Sequence, residues 1–234
     1  MNFVKILRSV EEFVFVAATW IVFVPKTFLK ILVRPRWAYD YVQEESEKAP
    51  EVRYDAYVSP ILFWIIVAVV PFVVVIRYYF SFSSSSADSD FVKLGFENTV
   101  IIFTVFMVGL PLGIALGRNW FNSAANSRTA LEPVFLTQCY CVAPFELTFV
   151  AGVLRLMAPD FKQPVPFVGK YWYVVIAIGF IWLWLAETSV IKADTANTST
   201  FKSVTWALLY ILPGLVVIAL IGLGIIWGLG NLLD

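Results

Sequence analysis

The sequence contains no histidine, only two cysteines and few charged residues for its length. Its 234 residues are 15% charged and 60% hydrophobic, whereas soluble domains are about 25% charged and about 45–50% apolar. The absence of histidine excludes His-ligated haem, His-containing zinc sites and Ser-His or Cys-His catalytic pairs. Lys plus Arg and Asp plus Glu number 17 each, so no net charge exists to attract nucleic acid. The composition therefore predicts an integral membrane protein.

Five apolar stretches are each long enough to cross a bilayer as a helix. A span needs about 20 apolar residues, because a helix rises about 1.5 Å per residue across about 30 Å of hydrocarbon. We therefore expect an all-α, polytopic transmembrane helical bundle of five spans, formed by residues 59–234. The predicted spans are, approximately, Ile61–Tyr79, Thr99–Leu116, Pro133–Met157, Tyr171–Ile191 and Val204–Leu232.

Residues 1–58 are predicted to form a cytosolic N-terminal region with an interfacial helix and a polar linker. Phe13 to Pro25 is apolar for only 13 residues, and basic residues then recur every four positions on one helical face. Such an amphipathic or re-entrant segment favours the membrane interface, with Phe28, Ile31 and Leu32 entering the acyl chains. The alternative is a span over residues 13–33 with snorkelling lysines. The predicted membrane-interface residues are Lys26, Lys30, Arg34, Arg36 and Trp37.

The distribution of basic residues predicts the orientation in the membrane. With five spans, the side that holds the N-terminal region carries 12 lysines and arginines, and the other side carries 5. The positive-inside rule then places the N-terminus in the cytosol and the C-terminus outside. The acidic pair Glu11-Glu12 precedes the first apolar run, which argues against a cleaved signal peptide. We expect the protein in a bacterial inner membrane.

Acidic residues at membrane depth are the candidate ligand site. Glu132 and Glu146 lie on one stripe of the third span, and Gln138 lies beside it. Because a carboxylate in lipid demands a partner or a wet cavity, these three residues are the predicted proton or cation site. The alternative is that Glu146 is a protonated or hydrogen-bonded packing residue. Glu187, close to the end of the fourth span, is expected to reach the interface.

No residue pattern for catalysis or for a cofactor occurs in the sequence. Cys139 and Cys141 are two residues apart, so on a helix they point in nearly opposite directions and cannot converge on one metal ion. Nucleotide-binding loops, dinucleotide fingerprints, nucleophile elbows and metalloprotease helices are missing as well. We therefore expect no metal, no cofactor and no enzymatic activity.

Glycines recur at helical spacing in two of the predicted spans. Gly109, Gly113 and Gly117 form one ridge, and Gly224 and Gly228 form another. Small-residue faces of this kind let a second helix approach closely. The ridges indicate packing within one bundle or, alternatively, a homodimer or docking to another membrane subunit.

Four different short segments of the chain contain proline: Arg34-Pro35-Arg36-Trp37, Ser59-Pro60 at the entry to the first span, Tyr140 to Pro144 in the third span, and Leu212-Pro213 in the last span. Together with the basic N-terminal region, they resemble the Yip-domain family of five-span membrane proteins, particularly its bacterial members. The resemblance covers about residues 30–232. It implies a likeness to traffic and membrane-shaping factors that bind small GTPases, whereas bacterial members have no settled activity.

The sequence thus favours a non-enzymatic accessory or structural subunit in the lipid bilayer, which packs against another membrane protein or against itself. One alternative is a small permease or proton-coupled carrier that uses Glu146. A further alternative is a membrane-shaping protein that acts through its N-terminal amphipathic helix.

Overall fold

The computed structural model describes residues 20–82, 96–121, 127–157, 171–195 and 199–233. Within these ranges every regular element is helical, which confirms the all-α prediction. In chain order the described helices are α1 (20–33), α2 (Arg36–Ser46), α3 (Pro60–Trp64), α4 (Val70–Phe82), α5 (Phe96–Phe121), α6 (Arg128–Met157), α7 (Trp172–Asp194) and α8 (Thr200–Leu233).

The short helices α3 and α4 are joined by a π-helical turn over Ile65–Val69. Pro71 follows directly in the chain. A proline inside a helix lacks an N–H, and its ring clashes with the carbonyl four residues earlier, here that of Val67. The extra residue in the π turn accommodates this clash, because it widens the helix where the carbonyl lies. The segment from α3 to α4 therefore continues as one apolar helix.

Three helices in the described ranges are long and apolar enough to cross a membrane: Pro60–Tyr78, Thr129–Val150 and Trp172–Asp194. They coincide with the predicted first, third and fourth spans and support a membrane protein. A shorter apolar helix covers Thr200–Val216. The predicted second and fifth spans fall on α5 and α8, which are 26 and 34 residues long.

Helices α5 and α8 touch through glycine. A Cβ atom on Gly113 would lie 2.5 Å from the Cα of Gly214, and one on Gly117 would lie 2.8 Å from the ring of Pro213. Gly113 and Gly117 of the α5 ridge therefore pack against α8 of the same chain, which agrees with the interpretation that the glycines serve packing within one bundle. Gly109 is buried on the same helix. The surroundings of Gly224 and Gly228 lie outside the description.

Helices α6 and α7 meet at a different kind of glycine contact. A Cβ on Gly152 would lie 2.5 Å from Ile176 Cδ1, which is the end of a flexible side chain. The side chain can rotate away, whereas the backbone facing Gly113 cannot. The two glycines therefore differ in how strictly the structure requires them.

The N-terminal helices pack onto the bundle. Ile31 of α1 and Ala38 of α2 are fully buried in one hydrophobic cluster with Phe63 and Tyr140. The burial of Ile31 within protein corrects the expectation that it enters the acyl chains. The reason is the helical spacing, which places Thr27 and Ile31 on the face of α1 that meets the bundle. Residues 13–19 of the predicted interfacial segment lie outside the description, whereas residues 25–37, the amphipathic part on which the membrane-shaping alternative depends, lie within it.

Candidate functional site

Glu146 is buried in α6 and is bonded to the first predicted span. Its Oε2 accepts a hydrogen bond of 2.6 Å from Trp64 Nε1. Its Oε1 has no hydrogen-bond partner among the described residues. An indole N–H is a neutral donor, so the bond satisfies one oxygen without a countercharge. Glu146 therefore fastens α6 to α3.

Gln138 lies about two turns earlier on α6 and faces α7. Its Nε2 donates a hydrogen bond of 3.3 Å to Glu187 Oε2. Glu187 is fully buried, so the prediction that it reaches the interface is wrong. The helix continues for almost two more turns, to Asp194, and this extension keeps Glu187 inside the helix packing. The Oε1 atoms of Gln138 and Glu187 have no hydrogen-bond partner among the described residues.

Glu132 lies apart from the other two predicted site residues. It is exposed near the start of α6, at an apolar groove between α3, α5 and α6. Along the helix axis it is about 21 Å from Glu146, since each residue rises about 1.5 Å. The shared stripe therefore does not form one site: Glu132 faces outward, Gln138 binds α7 and Glu146 binds α3.

A polar cluster that sequence reasoning missed joins α2, α5 and α7. We call Tyr39, Arg118 and Asp194 the Arg118 cluster. Arg118 Nη2 lies 2.8 Å from Asp194 Oδ2, and the Tyr39 hydroxyl donates a bond of 2.7 Å to Asp194 Oδ1. The guanidinium also lies 5.5 Å from the centre of the Tyr39 ring. Burial, followed by the hydrogen bond to Asp194, raises the pKa of Tyr39 to about 12.

The two charges of this cluster differ in exposure. The Arg118 side chain is 3% exposed and that of Asp194 is 29% exposed. Nη1 of Arg118 has no hydrogen-bond partner among the described residues. Both residues stand at the ends of predicted spans, where charges usually face solvent. Opposite charges at the ends of two predicted spans were the signal that could have indicated a pair.

Glu45 anchors the loop between α2 and α3. The carboxylate is almost fully buried and accepts bonds from Lys48 Nζ at 2.7 Å and from the backbone N–H of Tyr54 at 2.6 Å. Tyr54 has a φ of 64°, in the left-handed region that non-glycine residues rarely adopt. Burial opposes the charge of Glu45, but these bonds outweigh it and lower its pKa below the ordinary value. Ionised Glu45 therefore holds the loop in an unfavourable backbone conformation.

Two predicted interface residues contact aromatic rings of the protein. Trp37 stacks on Tyr41 with ring centres 4.8 Å apart, and it also lies 5.8 Å from the ring of Tyr140 in α6. Lys26 Nζ lies 4.3 Å from the centre of the Tyr57 ring. These contacts attach α1 and α2 to the loop and to α6. Of the other three, Arg34 and Arg36 are exposed and Lys30 is partly exposed.

The described residues contain no group of three or more acidic, cysteine or histidine side chains able to hold a metal ion. Cys139 and Cys141 are free thiols buried in α6. The carboxyl groups of Glu146 and Glu187 are bonded to other helices, whereas the buried hydroxyls of Thr27, Thr137, Thr188 and Ser203 each bond to a carbonyl of their own helix or the residue before it.

Comparison with known proteins gave no relative, since no family model, curated protein or solved structure matches the chain. The resemblance to the Yip-domain family stays a prediction, and the geometry alone carries the functional argument.

Proposed function

We propose that this chain is a non-enzymatic, five-span accessory subunit that associates with a membrane-protein partner or with a second copy of itself. The observation that carries the proposal is that three carboxyl groups bond to side chains of other helices. Glu146 binds Trp64, Glu187 binds Gln138, and Asp194 binds Arg118 and Tyr39, in each case across two or more helices. Bonds of this kind fix one arrangement of helices and suit a scaffold.

The proposed orientation follows from the basic residues. With α1 in the cytosolic interface of a bacterial inner membrane and the C-terminus outside, the Arg118 cluster and the Glu45 loop lie on the cytosolic side. Helix α2 and the turn that follows it then show charged residues to the cytosol, where Arg36 lies 3.4 Å from Asp40 and Lys48 lies 3.6 Å from Glu44. Association within the membrane uses a different surface.

The surface that we assign to the partner is an exposed apolar stripe on α7. It is continuous over three turns, because its members are spaced four, three and four residues apart. Spacing of this kind lets a second helix pack along the whole stripe. Opposite this stripe, Gly179, Leu183 and Ala186 are buried against the bundle. The stripe consists of Val174, Ile178, Ile181 and Leu185.

Photo-crosslinking in the native membrane tests this assignment. A photoreactive residue at Ile178 is expected to give a discrete protein adduct that survives purification in mild detergent. The matched control is the same probe at Val105, an exposed apolar position on α5. If both positions give only lipid adducts and the protein is a monodisperse monomer, the accessory-subunit proposal is refuted.

A specific observation favours a second candidate, a proton-coupled carrier. The Oε1 atoms of Gln138, Glu146 and Glu187 are buried acceptors with no hydrogen-bond partner among the described residues. The two carboxylates can take a proton at membrane depth, and all three oxygens can contact a cation. In vesicles that contain the purified protein and a pH-sensitive dye, a carrier would pass protons, and Glu146→Gln would abolish the flux. The exposed Glu132→Gln serves as the control. Absence of flux in the unmodified protein refutes the carrier.

A further inference from the structure

A surface groove at the start of α6 is lined by apolar side chains and by one charged residue, Glu132. It has a volume of about 440 Å³ and lies between the start of α3, the middle of α5 and the start of α6. This volume falls within the roughly 300–1,000 Å³ that small-molecule sites occupy. We call it the Glu132 groove. It is lined by Ile61, Val108, Leu112, Leu131, Glu132, Phe135 and Leu136.

The groove is polar at one end only. Glu132 is the fourth residue of the apolar segment Thr129–Val150, so it lies where a spanning helix enters the headgroup region. Phe135 and Leu136 follow it by one turn along α6, towards the apolar interior. An occupant must therefore be amphipathic, with its polar part beside Glu132 and its apolar part deeper.

The charge and the side chains narrow the occupant further. The charged lining residue is a carboxylate, which favours a cation that can donate hydrogen bonds. The other lining residues are apolar, which suits an acyl chain.

We propose that the Glu132 groove binds one bilayer phospholipid whose headgroup carries a primary ammonium, as in phosphatidylethanolamine. The ammonium donates to the Glu132 carboxylate, and an acyl chain lies along Phe135, Leu136 and the facing side chains of α3 and α5. A quaternary ammonium has the same charge but no N–H to donate, and an anionic headgroup is repelled. The proposal requires only that the helices lie in a bilayer, and it is independent of the accessory role.

The test uses the full chain in vesicles of equal parts phosphatidylethanolamine, phosphatidylcholine and phosphatidylglycerol with identical acyl chains. After extraction, native mass spectrometry counts the lipids that stay bound. We expect a preference for phosphatidylethanolamine of roughly two- to fivefold, the size of one exposed ion pair. Glu132→Gln should remove the preference, whereas Glu47→Gln, at an exposed carboxylate on the loop after α2, should retain it.

A second variant tests the position of the acyl chain. Leu136→Trp should fill the groove and lower the number of bound phospholipids by about one, and this loss should fall mainly on phosphatidylethanolamine. Equal retention of the three lipids by the unmodified protein would overturn the proposal, as would a preference that persists in Glu132→Gln. Retention of anionic lipid, or a dimer formed through this groove, would do so as well.

Discussion

Removing one partner of the ion pair in the Arg118 cluster should destabilise the protein by an amount that depends on which charge is left without its partner. Asp194→Ala leaves the guanidinium of Arg118 buried and without its carboxylate, whereas Arg118→Met leaves Asp194 partly in contact with solvent. Breaking a fully buried ion pair costs about 3–5 kcal/mol. Because the Asp194 side chain is 29% exposed, we reduce this to about 2–4 kcal/mol for Asp194→Ala and about 1–2 kcal/mol for Arg118→Met.

The buried thiols offer a direct assay of this difference. Cys139 and Cys141 are free and buried, so a thiol-reactive fluorogenic dye reports thermal unfolding in detergent. At roughly 2–4 °C per kcal/mol for a chain of this size, Asp194→Ala should lower Tm by about 4–16 °C, and Arg118→Met by about half as much. The double variant should lose less stability than the sum of the single losses, because the pair is coupled. A larger loss in Arg118→Met, or additive losses, would refute the reasoning.

Three further predictions concern other contacts. Gly113→Ala should destabilise the protein by about 1–2 kcal/mol, because overpacking against backbone costs about 1–3 kcal/mol and exceeds the gain in helix propensity. Gly152→Ala, at a glycine that faces a movable side chain, should be neutral or stabilising. Equal Tm values for the two variants would contradict this reasoning. The pKa of Glu45 is lowered in the folded state, so its stabilising effect is present above the unfolded pKa and is lost as the pH falls through the folded value. The protection of the loop amides after α2, which is the intrinsic exchange rate divided by the observed rate at the same pH, should therefore fall as the pH drops below the ordinary glutamate value of about 4.3, and Glu45→Gln should show low protection at every pH. Trp64→Phe should lower the free energy of unfolding by about 1–3 kcal/mol, because it leaves the Glu146 carboxyl without its hydrogen-bond donor. Combining Trp64→Phe with Glu146→Leu should recover most of this stability. A persistent loss in the double variant would show that the hydrogen bond is not the cause.

The sequence alone located the apolar helices because hydrocarbon permits few alternatives. A long apolar run in a bilayer satisfies its backbone only as a helix, so run length and hydropathy were sufficient to find Pro60–Tyr78 and Trp172–Asp194 almost to the residue. The glycine spacing likewise indicated that α5 meets another helix closely, since a missing side chain is visible in the sequence. It did not say which helix, and the contact of Gly113 with Gly214 became evident only in the structure.

The polar interior was decided by tertiary packing. Periodicity placed Glu132, Gln138 and Glu146 near one stripe of α6. The stripe is exposed at the start of the helix, contacts α7 near Gln138 and contacts α3 near Glu146, so each residue has a different neighbour. Arg118 and Asp194 are far apart in the chain, and no local pattern connects them. Their pairing depends on α5 and α7 ending at the same level beside α2, because a carboxylate binds a guanidinium only where the fold brings their atoms within about 3 Å.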